Sequence, residues 1–310
     1  MTQSRSNRSS PLLHFISRQP MALGRFLARV FALLVTTLPL SKLVKIIRLN
    51  LKIAFPYLAD AELQQLSKHA IRNELMAYFE FISIWGASNQ KNIQRIHQVH
   101  GEELLHAALA AQKGVVLIAP HFGTWEVMNA WLAQHTNMTI LYNPVKNPQV
   151  DVFVREARSR EQAHLVPTNE TGVRQIFKAL KQGGTTVILP DHSPDLGGEM
   201  VDYFGIPLAS SSLSAKLIQK TKAHALLIYT IRTEHGFDCY IEAIDPQIYA
   251  GSAVDGTRII HQSLEDLIQR YPQHYHWSYK RFSANPALHK IYNIDEADAL
   301  AKVAAVRSNA

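Results

Sequence analysis

The chain has 310 residues, 47% of them hydrophobic and 18% charged, a composition that supports a large buried core and excludes a disordered or fibrous protein. Its net charge of +7 belongs to one end: residues 1–58 hold nine Lys and Arg and no Asp or Glu, whereas the remainder holds 23 basic against 25 acidic residues. Basic residues that flank and interrupt an apolar run suit anionic lipid; nucleic acid would ask for basic and aromatic residues interleaved on a folded surface.

The first predicted element lies in residues 22–40, ALGRFLARVFALLVTTLPL. As a helix it would be roughly 28 Å long, close to the ~30 Å of a bilayer core. Arg25 and Arg29 interrupt it and Pro39 ends it. The two arginines are four apart, share a helix face and can both snorkel toward headgroups. Three arrangements stay open: an interfacial helix, a short spanning helix and a buried hairpin. A cleaved secretory signal fits poorly, because no small-x-small site follows and the next stretch, LSKLVKIIRLNLKIAF, is itself basic and amphipathic. All three arrangements put the rest of the protein at a membrane surface. Residues 1–58 are therefore read as an anchor region, 59–292 as an α/β domain and 293–310 as a tail, a loose helix or a disordered end.

Residues 59–86 have the apolar spacing of an amphipathic helix. From Gly114 the texture changes. GVVLIAP is a continuous apolar run, the mark of a strand buried on both faces, and a turn at Gly123 and Thr124 opens a helix with Thr124 as its N-cap. MTILY and TTVILP are two further strands; PQVDVFVREARSREQA, TGVRQIFKALKQ (ended by Gly183 and Gly184) and SSSLSAKLIQKTKA are helices. HALLIYTIR and DCYIEAI pair as antiparallel strands across His235 and Gly236, GTRIIHQSLEDLIQRY is a long helix, and HWSYKRF reads as a strand. The fold class is α/β, a mixed sheet flanked by helices behind a helical, membrane-associated amino terminus. The lone cysteine, Cys239, falls in a strand, where a buried thiol is the simplest reading, and it rules out an intrachain disulfide. With no sign of an oxidising compartment, the cytoplasmic side of a membrane is the natural location.

Chemistry is expected at APHFGTWE, residues 119–126, because ligands of open α/β sheets bind beyond the carboxyl ends of the strands. A histidine acting as general base needs one ring nitrogen free and the other held by a carboxylate. A tight turn at Gly123 can bring Glu126 back under His121, and the backbone N–H groups of that turn can face an oxyanion. A capped helix with a satisfied histidine has the same spacing. GxSxG, P-loop, HExxH, GxGxxG and CxxC patterns are missing from the sequence, so direct attack by a substrate hydroxyl fits better than an acyl-enzyme. His274 and His276, two apart, lack the usual metal spacing, and no metal site is read there.

Five blocks in order, APHFGTWE, YNPVKNP, REARSR, ILPDHSPDLGGEMVDYFGIPLASSS and HYHWSYKRFSANP, resemble the late acyltransferases of lipid A biosynthesis, the branch that holds the lauroyl and myristoyl transferases of Gram-negative bacteria. The likeness runs over residues 20–286. It implies an enzyme at the cytoplasmic face of the inner membrane, working among its lipids, that moves a chain of twelve to fourteen carbons from acyl carrier protein to a hydroxyl of a lipid A precursor. It implies no cofactor beyond the carrier's thioester. On this resemblance His121 is the general base and Glu126 its carboxylate partner. Arg158 matches the arginine downstream, suited to phosphate or an oxyanion. Asp191 matches an acidic position that pairs with Arg158, orients substrate or caps a loop. Lys280 and Arg281 match the closing block that binds phosphate or carrier acids, and Phe204 and Gly205 match a turn lining the acyl path. The rival acceptors are lysophosphatidic acid and a mannosylated phosphoinositide. The rival class is a non-catalytic lipid-binding protein.

Overall fold

The computed structural model describes residues 9–37, 41–194 and 197–308; Pro39, expected to end the first helix, lies outside them. The chain opens with α1 (Pro11–Ser17), α2 (Met21–Thr37), α3 (Lys42–Ala54), α4 (Asp60–Trp85) and α5 (Asn89–Ile93). Strand β1 (Ile96–His100), α6 (Glu102–Ala110), β2 (Val115–Ile118), α7 (Val127–His135), β3 (Thr139–Tyr142), α8 (Pro148–Arg160), β4 (His164–Pro167), α9 (Glu170–Lys181) and β5 (Thr185–Ile188) alternate after them. The hairpin β6 (Glu199–Tyr203) and β7 (Ile206–Ser210), then α10 (Leu213–Thr221), β8 (His224–Arg232), β9 (Phe237–Ala243), α11 (Ala253–Arg270) and α12 (Glu296–Ser308) complete it.

The main sheet runs β1-β9-β8-β2-β5. All its neighbours are parallel except the hairpin pair β8 and β9. A bridge from Met138 to Thr185 continues it toward the parallel pair β3 and β4. Strand β2 is buried on both faces, and its successive side chains point opposite ways. Val116 and Ile118 join the core under α3, α9, α10 and α11, whereas Val115 and Leu117 join the core under α6 and α7. Cys239 is buried in the second of these, where burial raises its thiol far above the ordinary range.

Two expectations are corrected, those for HWSYKRF and for the tail. HWSYKRF is not a strand: Tyr275, just before it, makes one bridge to Phe122, and Arg281–Ala284 is a 3-10 turn. The reason is Asn50, whose amide donates to the carbonyls of Trp277 at 2.6 Å and Tyr279 at 2.8 Å, capturing groups a ladder would need. The tail is a docked helix, with Ala299 and Val303 buried and Arg307 donating to the carbonyls of Ile53 and Phe204. Phe204 and Gly205 form the two-residue turn of the β6–β7 hairpin, both with positive φ (53° and 70°), as a type I′ turn requires. That turn packs against α11 through a bond from Phe204 N–H to Glu265.

The amino-terminal arginines part company. Arg29 is exposed, but Arg25 is buried and does not snorkel. Its Nε donates to Glu80 at 2.6 Å, and its Nη atoms donate to the carbonyls of Thr233, Glu234 and Gly236 in the β8–β9 turn. Glu80, 1% exposed, also accepts from Arg232 at 2.7 Å and from the Thr124 hydroxyl at 2.5 Å. A buried carboxylate needs such partners. Burial alone would raise Glu80, and the two guanidiniums outweigh it and hold the carboxyl low. Leu12, Phe15, Phe26, Phe31, Leu33 and Leu34 on α1 and α2 are exposed. Among the described residues no single helix is long and apolar enough to cross a membrane; α1 and α2 meet at 101°.

Candidate active site

Two parallel neighbours place the central pair. Ile118 of β2 lies beside Ile188 of β5, and each strand then runs on through one residue and a proline to a titratable group, His121 in one and Asp191 in the other. Equal extension past a shared register brings them together. Asp191 Oδ1 accepts from His121 Nδ1 at 2.8 Å, and Oδ2 accepts from the His121 backbone N–H at 2.9 Å. Burial would raise the Asp191 carboxyl, but the His121 ring and these bonds hold it well below the usual carboxylate range. With Nδ1 carrying the proton, Nε2 is left as the acceptor, the tautomer a general base requires.

Glu126, the expected partner, is turned elsewhere. Its carboxylate accepts from Arg158 Nη2 at 2.9 Å and from Asn129 Nδ2 at 3.1 Å. The turn from His121 to Glu126 runs into α7, and that geometry carries the side chain toward α8. Asp191 therefore pairs with His121 and not with Arg158. Burial works against the Arg158 charge, yet Glu126 outweighs it and keeps the guanidinium firmly ionised.

The turn itself is fixed from three sides. Gly123 has φ +55°, and a Cβ there would lie 2.6 Å from the Thr230 carbonyl oxygen. Its N–H donates to the His274 carbonyl at 2.8 Å, so it is not aimed at an oxyanion as expected. His276 receives the rest: its N–H donates to the His121 carbonyl, and its Nε2–H donates to the Gly123 carbonyl, each at 3.0 Å. Burial pushes both His274 and His276 down to about 3, so they are neutral structural groups. Thr124 bonds Glu80 and does not cap α7, whose N-cap position is Glu126.

His192 was not foreseen. Its ring lies flat on His121 with centroids 3.7 Å apart and planes within 3°, and Tyr279 stacks on its other face at 3.7 Å. Burial first, then the neighbouring His121, pushes His192 down to about 4. Tyr279 also accepts from the Ser193 N–H at 3.0 Å. Beneath this loop Arg281 is 3% exposed and donates to Ser193 Oγ, the Ala209 carbonyl and Ser210 Oγ. It is committed to holding the loop and is not open to a phosphate or a carrier's acids. Lys280 is exposed, with its ammonium 5.7 Å from the Tyr292 ring, and lines a separate groove with Lys42, Lys45 and Arg48.

A cavity of about 490 Å³ opens over these groups. His121, Glu126, Arg158 and His192 line it with Ile140, Leu141, Val173, Val187, Leu189 and Leu213. The Phe204–Gly205 turn does not reach it. An apolar pocket with a few convergent polar groups at one end is the ordinary form of a site for a largely apolar ligand. Chemically, the arrangement offers a base with a fixed tautomer, a cation held in place by a carboxylate, and room for hydrocarbon.

Residues 12–284 match the family model described as bacterial lipid A biosynthesis acyltransferase. The chain is 26% identical over 250 residues to a lipid A biosynthesis acyltransferase of Haemophilus influenzae, covering 78% of each chain. It is 22% identical over 248 residues to a lipid A biosynthesis lauroyltransferase of Escherichia coli, covering 78% of this chain and 79% of that one. A phosphatidylinositol mannoside acyltransferase of Mycobacterium tuberculosis is 29% identical over 132 residues, 41% of this chain and 42% of its own.

Proposed function

We propose, for a chain that belongs to the bacterial lipid A biosynthesis acyltransferase family, that His121 is the general base of an acyl transfer from acyl carrier protein to a hydroxyl of a lipid A precursor. The observation that carries this reading is the bond from His121 Nδ1 to buried Asp191 at the edge of an apolar cavity. Nε2 takes the acceptor's hydroxyl proton as oxygen attacks the thioester carbonyl. Asp191 stabilises the imidazolium so formed. His192, neutral at pH 7, adds the face of a ring and no opposing charge. Collapse of the tetrahedral intermediate breaks the carbon–sulfur bond, and the imidazolium returns its proton to the carrier's leaving thiolate. Arg158, the only Lys or Arg lining the cavity among the described residues, is the cation assigned to the oxyanion, with Glu126 positioning it. The carrier's thioester is the only co-substrate in this scheme, and the apolar lining takes a chain of twelve to fourteen carbons.

The exposed apolar face of α1 and α2, together with the basic residues of the same region, supports an interfacial seat on anionic lipid. We place it at the cytoplasmic face of the inner membrane, the side that basic segments favour.

Mass spectrometry of a tetra-acylated lipid A precursor, incubated with acyl carrier protein bearing mixed chain lengths, tests the reading. Wild type adds acyl mass and reports the preferred length. His121→Ala loses a factor of ~10²–10⁴, the usual worth of a general base. Asp191→Asn falls by a comparable factor by favouring the wrong tautomer. Glu126→Gln, acting through Arg158, falls less than Asp191→Asn; the reverse order would return the partner's role to Glu126. Acyl gain on a mannosylated phosphoinositide, with none on the lipid A precursor, would reassign the acceptor.

A further inference from the structure

Away from the cavity, α6 and α7 bring three side chains of metal-ligating type to one spot that the acyl-transfer scheme does not use. Glu102 and His106 are four apart on α6 and share a face. His135 is the last residue of α7. His106 Nε2 lies 3.2 Å from His135 Nδ1 and 3.5 Å from Glu102 Oε1, and the three donor atoms all lie within 4.8 Å of one another.

We propose that Glu102, His106 and His135 form a binding site for a divalent transition-metal ion, with zinc the ion whose ligand chemistry fits best. The distances carry the argument. Ligands about 2.0–2.1 Å from a tetrahedral zinc stand roughly 3.3 Å apart, and the two separations from His106 Nε2 straddle that value. Two imidazoles and one carboxylate are a known zinc donor set, and they leave a fourth position for water on this exposed surface. Softer cations of similar size compete for such a set, whereas magnesium and calcium prefer oxygen alone. The His135 ring is already oriented, since it packs on Trp131 with centroids 4.2 Å apart, and an oriented ligand is what a tight site needs. Without an ion the two facing nitrogens share one proton in a single hydrogen bond. With one, each ring offers a lone pair.

The consequence falls on α7. Its N-cap position is Glu126, the partner of Arg158, and its far end is His135, about 14 Å along the axis. A metal would fasten that far end to α6.

Untagged full-length protein is titrated with Zn2+ by calorimetry and with Co2+ by visible absorption. One equivalent of Zn2+ in the micromolar range, and the intense d–d bands of tetrahedral Co2+, are expected. His106→Ala and His135→Ala should each weaken binding at least tenfold, and Zn2+ should raise the melting temperature of wild type but not of His106→Ala. His106 is half exposed, so His106→Ala keeps the test alive if His135→Ala, which bares Trp131, fails to fold. Absence of binding below millimolar metal, or binding that survives His106→Ala unchanged, overturns the site.

Discussion

Glu161 closes α8 beside the Glu126–Arg158 pair, 4% exposed, and its Oε2 has no partner among the described residues. Burial first, and then the Glu126 charge, raise its carboxyl to about 8. The folded chain therefore holds this proton across a range in which the unfolded chain has released it. Stability from this group is complete below the unfolded value near 4.5 and is lost as pH rises toward 8. Glu161→Gln keeps a neutral side chain at every pH. Its melting temperature relative to wild type should climb between pH 5 and pH 8; a flat difference would show that Glu161 is ionised throughout. At the same scale, the His121–Asp191 pairing was half legible. Ile-Ala-Pro-His and Ile-Leu-Pro-Asp, residues 118–121 and 188–191, repeat one pattern at the ends of two apolar runs. Adjacent parallel strands with that pattern put the two polar groups side by side. The strands were readable; that they are neighbours was not, because order in a sheet is set by helix packing far along the chain. His192 and Tyr279 carried no signal at all, since a stack between residues 87 apart has no local signature.

Among the elements, those with strong periodicity or continuous apolar runs were found: α4, α8, α9, α10, α11, and strands β2, β5, β8 and β9. Strand β4 is four residues long and mostly uncovered, so its alternation is too brief to detect. The alternating aromatic residues of HWSYKRF imitate a strand; the Asn50 amide decides otherwise from more than 200 residues away. Helix α2 was found but misjudged, because a sequence does not say whether an arginine on an apolar helix meets headgroups or a buried acid. Here it meets Glu80. Breaking one side of a buried ion pair costs about 3–5 kcal/mol, since the other charge stays behind. Arg25→Met should lower stability to denaturant by that order, with Arg232 left to hold Glu80 alone. Arg29→Met, one turn on and exposed, should lie within about 0.5 kcal/mol of wild type. Equal losses for the two would mean that Arg25 is not buried in solution.

For the whole molecule, α1 and α2 leave Leu12, Phe15, Phe26, Phe31, Leu33 and Leu34 exposed, the face on which the proposed interfacial seat rests. Replacing Phe26 and Phe31 together by Ser removes two exposed aromatic groups, each worth about 1.5–3 kcal/mol when buried. Sedimentation with vesicles of phosphatidylethanolamine and phosphatidylglycerol should show partitioning weakened more than tenfold with the melting temperature kept. Unchanged partitioning would remove the interfacial seat. The greasy helix is also tied inward. Arg25 bonds Glu80, Glu80 bonds Thr124, and Thr124 sits in the turn between His121 and Glu126. For anyone preparing this protein, the usual shortcut of clipping an oily leader to gain solubility is closed. A chain begun after α2 would strip the covering from α4 and take one of two guanidinium partners from Glu80, an acid one hydrogen bond from the turn that carries His121. Purification has to carry α1 and α2 from the first step.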